Sequence, residues 1–90
     1  MHEDLLKRLR ERDKTALAEV TQLHGPAMAR AAYLFLRDAH AAEDVTQDAL
    51  LAAWDASART SPETPLRGWL FGILFNQCRK HQRSLWRRLR

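Results

Sequence analysis

Residues 66–78 read Leu66-Arg67-Gly68-Trp69-Leu70-Phe71-Gly72-Ile73-Leu74-Phe75-Asn76-Gln77-Cys78. Successive residues of an α-helix lie about 100° apart around its axis. On a helical wheel drawn with this spacing, the large apolar side chains of residues 66–78 cover well over half of the circumference. A helix this apolar is deeply buried or wedged between several partners. The stretch therefore predicts a long helix that runs from about residue 66 towards the C-terminus and is enclosed by other helices.

The rest of the chain is also helical in composition, with many Ala, Leu, Arg, Glu and Gln residues and only three Gly. Apolar residues at helical spacing predict a first helix at about residues 3–12, a second that Asp13 caps and that runs to about residue 36, and a third at about residues 41–58. Gly25-Pro26 is expected to kink or break the second helix, because proline has no N–H to bond the carbonyl group of Gln22. Residues 37–40 are expected to form a turn, and the proline-containing residues 60–65 a loop. The predicted fold is all-α: a small bundle of about four helices in a single domain that spans residues 1–90.

Bulk properties limit where the protein acts. The chain has 90 residues, of which 46% are hydrophobic, and this is enough apolar surface for a core. It contains neither a run of about 18 apolar residues nor the pattern of a signal peptide, so we expect a cytoplasmic protein with no membrane span. The single cysteine, Cys78, excludes an internal disulfide and fits a reducing compartment. The helical pattern reaches Arg90 without a stop signal, so we expect this chain to be a fragment of a longer protein.

Motifs of catalysis and metal binding are not recognisable in the sequence. The histidines stand at no metal-ligand spacing; they are His2, His24, His40 and His81. No glycine-rich phosphate loop, Ser/His/Asp set or HExxH sequence is found. We therefore expect no enzymatic activity, no cofactor and no metal.

The final helix carries an unusual charge distribution. Residues 66–90 include seven Lys and Arg residues and no Asp or Glu. The arc of the wheel that the apolar residues leave free holds Gly72, Asn76, Arg79, Lys80 and Arg83. Arginine and lysine neutralise phosphates, and an asparagine amide can bond a base edge, so this stripe predicts a nucleic-acid site. The alternative is an ordinary solvated face of the helix.

The third predicted helix has an acidic arc. Asp44, Gln47, Asp48, Leu51 and Asp55 fall on one side of its wheel, and a strip of small residues is expected to face inward: Val45, Ala49, Ala52 and Ala56. Trp54 is expected to belong to the core. An apolar anchor surrounded by acids is typical of a docking site for a basic protein surface. The alternative is an amphipathic surface helix with no partner.

Three segments together carry a family resemblance. Residues 42–50 read Ala42-Glu43-Asp44-Val45-Thr46-Gln47-Asp48-Ala49-Leu50, and residues 65–76 read Pro65-Leu66-Arg67-Gly68-Trp69-Leu70-Phe71-Gly72-Ile73-Leu74-Phe75-Asn76. An earlier segment, residues 13–20, reads Asp13-Lys14-Thr15-Ala16-Leu17-Ala18-Glu19-Val20. In this order, the three segments resemble region 2 of the extracytoplasmic-function (ECF) sigma factors of the sigma-70 family.

The resemblance implies specific partners. In that family the acidic helix docks on the clamp helices of the RNA polymerase β′ subunit, a role that would pass to Asp44, Gln47 and Asp48, with Leu51 as an apolar neighbour. The loop before the last helix and that helix capture a base flipped out of the promoter −10 element, on its non-template strand. Asn76 matches the family asparagine that faces the unpaired strand. The other residues that the resemblance implies for DNA binding are Arg59, Thr60, Ser61, Arg67, Arg79, Lys80 and Arg83.

The resemblance also implies an anti-sigma factor as a further partner and a second domain, absent from this chain, that reads the −35 element. Two other functions remain open. The chain could be a sigma-like protein-interaction module held by an anti-sigma factor, or a basic helical module that binds nucleic acid without specificity. A weaker third alternative is a membrane-surface helix at residues 85–90.

Overall fold

The computed structural model describes residues 3–89, and side chains from residue 5 onward. Four α-helices occupy most of this range: α1 (Glu3–Arg10), α2 (Lys14–Leu36), α3 (Ala39–Ala56) and α4 (Leu66–Leu89). A short 3₁₀ turn, Ser57–Arg59, follows α3 directly. Residues 3–89 contain no strand. The predicted all-α bundle of four helices is confirmed.

Two aspartates determine where the long helices begin. The backbone N–H of Thr15 donates to Asp13 at 2.9 Å and starts α2, and the N–H of Ala41 donates to Asp38 at 3.0 Å and starts α3. Arg37 ends α2 because it adopts a left-handed backbone conformation, with φ 57°. The turn predicted over residues 37–40 is therefore limited to two residues. The helix predicted at 41–58 begins at Ala39 and ends at Ala56.

The prediction for the end of α1 was two residues too long. Arg12 has a left-handed conformation, with φ 64°, and its N–H donates to the carbonyl group of Leu9 at 3.0 Å. This tight turn ends α1 at Arg10 and directs the chain into α2.

A kink or a break was expected at Gly25-Pro26, and the break does not occur, because α2 continues through Pro26 as one helix. Pro26 lies on the exposed side of α2, where water can reach the carbonyl group of Gln22. Val20 and Met28, before and after it, are both buried in the same hydrophobic core. Packing therefore offsets the loss of one hydrogen bond.

The core lies where α2, α3 and α4 meet, and α1 packs across one end of it. Leu70, Leu74 and Cys78 of α4 are fully buried, and the other large apolar residues predicted for this helix are half-buried: Trp69, Phe71, Ile73 and Phe75. Burial raises the pKa of the Cys78 thiol, so the thiolate is disfavoured. Trp54 is half-buried and packs against the core, in agreement with the prediction.

A network of polar contacts ties the corner between α1 and α2 to the end of α3. Ser57 is fully buried, and its Oγ lies 3.1 Å from the carbonyl oxygen of Leu9 and 2.8 Å from that of Trp54. Arg12 donates to the same Trp54 carbonyl at 2.6 Å, and its guanidinium group lies 3.9 Å above the Trp54 ring. These contacts fix the point at which the loop between α3 and α4 begins.

Candidate nucleic-acid interface

An open groove of about 410 Å³ lies between the end of α3 and the middle of α4. It is lined by Ala52, Ala56, Ile73, Asn76, Gln77, Arg79, Lys80 and Arg83. The structure thus brings together Asn76, Arg79, Lys80 and Arg83, as the wheel predicted. Gly72, which the wheel placed in the same stripe, does not line the groove.

The small residues of α3 open this groove. Val45 and Ala49 are buried, as expected for the inward strip, but Ala52 and Ala56 are only half-buried and form one wall of the groove. The half-buried Ile73 supplies a further apolar surface from α4. A longer side chain at either alanine would fill space that is now open to a ligand. The prediction of an inward strip was therefore right for its first half only.

The polar edge of the groove combines an amide with three cations. Asn76, Arg79, Lys80 and Arg83 are all exposed. The guanidinium group of Arg79 donates from Nη2 to Oδ1 of Asn76. This bond uses one of the two acceptor sites of Oδ1, and the Nδ2 group of Asn76 still offers two donors. No acid lies on α4 to oppose a phosphate.

Gln77 is a groove residue that the sequence analysis missed. It follows Asn76 and is half-buried on the side of α4 that faces α3. Glutamine can bond a base edge through the same amide atoms as asparagine. The spacing of Ile73, Gln77 and Lys80 is that of one helix face, and this signal could have indicated its position.

The loop residues predicted to bind DNA do not line the groove. Arg59 is exposed. The hydroxyl group of Thr60 donates to the carbonyl group of Ala56 at 3.0 Å, and the hydroxyl group of Ser61 bonds the carboxylate of Glu63. This last bond lowers the pKa of Glu63 below its usual range. The structure therefore places these three residues beside the groove, on the connection that leads from α3 to α4.

Arg67 is also separate from the groove. Its Nη1 lies 3.4 Å from Nδ1 of His24 on α2, and its guanidinium group lies 4.8 Å above the ring of Phe71. It borders a second open groove, of about 530 Å³, between the loop and the first two helices. Of the eight residues predicted for DNA binding, the structure gathers four and leaves Arg59, Thr60, Ser61 and Arg67 outside the group.

The acidic face of α3 is exposed as predicted. Asp44, Gln47 and Asp48 are solvent-accessible, and Leu51 is 58% exposed. Beside them lies a small groove of about 300 Å³ between α2 and α3, lined by Leu17, Thr21, Gln47, Leu50 and Leu51. The acidic face therefore borders an apolar recess, to which α2 contributes residues that the sequence analysis did not select as site residues.

The described part of the chain shows neither a membrane span nor a cluster of metal ligands. Within residues 3–89, no helix is long and apolar enough to cross a membrane. No group of three or more His, Cys, Asp or Glu side chains in this part of the chain is arranged to hold a metal ion.

Comparison with known proteins identifies the family. Residues 20–88 match the family model for sigma-70 region 2. The chain belongs to the sigma-70 region 2 family. This match covers α3, nearly all of α4 and most of α2, and it includes the residues of the groove between α3 and α4 and of the acidic face. The resemblance drawn from the three sequence segments is confirmed.

Two curated relatives agree with this assignment. The RNA polymerase sigma factor CnrH of Cupriavidus metallidurans is 37% identical over 67 residues, which cover 74% of this chain and 35% of the relative. The RNA polymerase sigma factor NccH of Alcaligenes xylosoxydans xylosoxydans is 35% identical over 81 residues, which cover 90% of this chain and 44% of the relative. The chain thus spans less than half the length of either relative. No solved structure gives a significant match.

Proposed function

We propose that this region 2 domain serves transcription initiation by holding an unpaired base of the promoter −10 element in the groove between α3 and α4. One observation carries the proposal: the groove combines an apolar wall, an amide and three cations in one place. A base needs an apolar surface and hydrogen bonds to its edge, and its flanking phosphates need positive charge. Nucleotides of the non-template strand fit this combination.

The energetics are consistent with strand opening without hydrolysis of a nucleotide by this chain. Unstacking and unpairing a base costs a few kcal/mol. The flipped base gains contacts with Ile73 and Ala56 and with the Asn76 amide, while Arg79 and Lys80 neutralise neighbouring phosphates. Binding energy to the single strand then offsets the cost of opening the duplex. This role is a binding function rather than an enzymatic one.

We infer that the acidic face of α3 docks on the clamp helices of the β′ subunit in core RNA polymerase. The face presents Asp44, Gln47 and Asp48 in solvent with Leu51 as an apolar anchor, and the recess beside Leu51 can accept a side chain of the partner. Although α3 also supplies Ala52 and Ala56 to the base groove, the two surfaces use different residues. Polymerase and DNA can therefore be held at the same time.

The remaining partners follow from the same proposal. An anti-sigma factor would inhibit the domain by covering the acidic face, because that face is the proposed contact with polymerase. The region that reads the −35 element would belong to another domain of the protein. A protein that works on the chromosome through core polymerase would act in the cytoplasm.

Selection of single-stranded DNA tests the proposed function. Oligonucleotides that bind the purified domain would be selected from a random single-stranded pool. The affinity of the selected sequences would then be measured for the single strand and for the duplex. We expect a short preferred sequence with one dominant position, and much tighter binding to the single strand than to the duplex. Binding to every sequence and to both forms alike, with a steep dependence on salt, would instead establish a non-specific basic module.

A further inference from the structure

The last carbonyl groups of α3 receive donors from outside the helix. Such carbonyl groups have no partner within their own helix. The backbone N–H of Ser57 donates to the carbonyl group of Trp54, and Nη1 of Arg12 donates to the same group at 2.6 Å. The guanidinium group of Arg12 also lies 3.9 Å from the centre of the Trp54 ring. A cation from the corner between α1 and α2 therefore caps the negative end of the α3 dipole.

The hydroxyl group of Ser57 links the same point to α1. Its Oγ lies 2.8 Å from the carbonyl oxygen of Trp54 and 3.1 Å from that of Leu9, but it has only one proton to donate. At Trp54 the Ser57 N–H and Arg12 already fill the two acceptor sites of the carbonyl oxygen, and Nη1 of Arg12 also lies 3.4 Å from the Ser57 Oγ. These donors direct the hydroxyl proton towards Leu9. Arg12 thus supports two links between the end of α3 and the rest of the bundle.

The end of α3 is also one wall of the base groove. Ala56, two residues after Trp54, lines this groove, and Asn76 lines it from α4. The hydroxyl group of Thr60 donates to the carbonyl group of Ala56 at 3.0 Å, so the loop that follows is attached at the same place. The width of the groove therefore depends on where the contacts of Arg12 hold the end of α3.

The backbone conformation of Arg12 does not favour an arginine. Its φ of 64° is left-handed, and any residue with a side chain has a free-energy cost in this conformation that glycine does not have. Strain of this kind persists where surrounding contacts over-determine it, and it concentrates at functional sites. The contacts with Trp54 and Ser57 are made by the Arg12 side chain, so a glycine at this position would lose them.

We propose that Arg12 is a positioning residue for the base groove, which holds Ala56 at the distance from Asn76 that base discrimination requires and does not itself touch DNA. This role presupposes the proposed function, because Arg12 acts on the same groove. If the end of α3 moves outward, a base loses its apolar support and is held less firmly against the Asn76 amide. The phosphate contacts proposed for Arg79 and Lys80 lie on α4 and do not depend on this wall. Loss of Arg12 should therefore reduce discrimination between bases more than affinity for DNA in general.

Three variants test this role. Arg12→Gln removes the charge and the contact with the ring, and Arg12→Lys keeps a positive charge and a donor. Arg37→Gln changes the other arginine with a left-handed backbone, which lies at the opposite end of α3, and serves as the matched control. Affinity for the preferred single strand and for strands changed at one position would be measured over a range of salt concentrations, with circular dichroism to show that each variant is folded. Amide chemical shifts of the 15N-labelled variants would be recorded without DNA.

We expect Arg12→Gln to reduce the ratio of affinities between the preferred and the changed strands at least about threefold, with an unchanged slope of log affinity against log salt. Arg12→Lys should retain most of the discrimination, and Arg37→Gln all of it. Without DNA, the amide signals of Ala56 and Thr60 should shift in Arg12→Gln and lie closer to their original positions in Arg12→Lys.

Three results would overturn the positioning role. If Arg12→Gln unfolds more easily but discriminates between bases as well as the unmodified domain does, Arg12 only stabilises the fold. If it weakens binding to all sequences alike and reduces the salt slope by about 0.7, Arg12 contacts a phosphate directly. Failure of the proposed function would look different, because the unmodified domain would then prefer no sequence. In that case unchanged amide signals of Ala56 and Thr60 in Arg12→Gln would still overturn the positioning role.

Discussion

The guanidinium group of Arg79 donates a hydrogen bond to the side-chain oxygen of Asn76, three residues earlier on α4. The sequence alone suggests separate roles, with Asn76 reading a base and Arg79 neutralising phosphate. Under the proposed function this bond would link the two roles, because Arg79 holds the amide in place while the two Nδ2 hydrogens remain donors for an acceptor on a base edge.

The first prediction concerns the choice among bases in the groove. Asn76→Ala should reduce discrimination at one position of the preferred single strand by about 1–3 kcal/mol. Arg79→Ala should lower affinity for all sequences and also reduce that discrimination, since the amide loses its orienting partner. Titrations of oligonucleotides that differ at one position at a time would measure both effects.

Lys80→Ala provides the matched control for Arg79→Ala. Lys80 lines the same groove but does not bond Asn76, so its loss should weaken binding to all sequences equally and reduce the slope of log affinity against log salt by about 1. If Arg79→Ala and Lys80→Ala behave identically, the hydrogen bond to Asn76 has no part in recognition.

The second prediction concerns docking on polymerase. Asp48→Arg should abolish binding to a purified fragment that contains the β′ clamp helices, because it places a positive charge in the middle of the proposed contact with a basic surface. Binding to single-stranded −10 DNA should remain near normal. Pull-down of the fragment and DNA titration of the same protein preparation would measure the two activities.

Glu11→Arg makes the same change of charge at an exposed residue of the turn between α1 and α2, far from the acidic face in sequence. This variant should bind the β′ clamp-helix fragment as well as the unmodified domain does. An equal loss of binding in Glu11→Arg would indicate attraction to net charge, and the proposed role of the acidic face would then be withdrawn.

Much of the fold could be predicted from the sequence because helix patterns and caps are local. The apolar stretch at residues 66–78 and the N-cap Asp13 required no knowledge of tertiary contacts. The end of α1 at Arg10 was harder to predict, because the turn that follows it has Arg12 in a left-handed conformation, in which glycine or asparagine is usually found. The break considered at Pro26 does not occur, because Val20 and Met28 on either side of it are buried in the core, and the local pattern does not show the packing of other helices around them.

The part of the candidate site that lies on α4 could be predicted from the sequence, whereas the part that depends on contacts between helices could not. One helix face brings Asn76 and Lys80 together, and a wheel shows this directly. The wall formed by Ala52 and Ala56 depends on how closely α3 approaches α4, which small residues permit but do not specify. Arg67 was predicted to bind DNA with the other cations of α4, yet its place in the first turn of α4 directs it towards His24.

The third prediction uses the two left-handed arginines as a pair. Glycine adopts this conformation without a steric penalty, so Arg37→Gly should stabilise the domain by roughly 0.5–1 kcal/mol. Arg12→Gly relieves the same strain but removes the hydrogen bond to the Trp54 carbonyl and the contact with the Trp54 ring. It should therefore destabilise the domain by about 1 kcal/mol. Urea unfolding of both variants would measure these changes. If the free energy of unfolding changed in the same direction in both variants, the structural role of Arg12 would be contradicted.

The fourth prediction concerns acid stability. Asp13 accepts hydrogen bonds from the Thr15 hydroxyl and the Arg8 guanidinium, and these lower its pKa from an ordinary value of 3.8 to about 2. Because the folded state has the lower pKa, the unfolded state binds more protons between these two values, and stability rises with pH across that window. The contribution of Asp13 is fully present above about pH 4 and is lost as the pH falls towards 2. Urea unfolding of the domain at a series of pH values should show this decline.

Asp13→Asn isolates the effect because it keeps a side-chain oxygen at the N-cap while removing the titrating group. The variant should be less stable than the unmodified domain at neutral pH, and the difference should shrink as the pH falls from about 4 to 2. The prediction would be contradicted if the difference in unfolding free energy between Asp13→Asn and the unmodified domain stayed constant down to about pH 2. In that case the charge of Asp13 would contribute nothing to stability, and only its side-chain oxygen would matter.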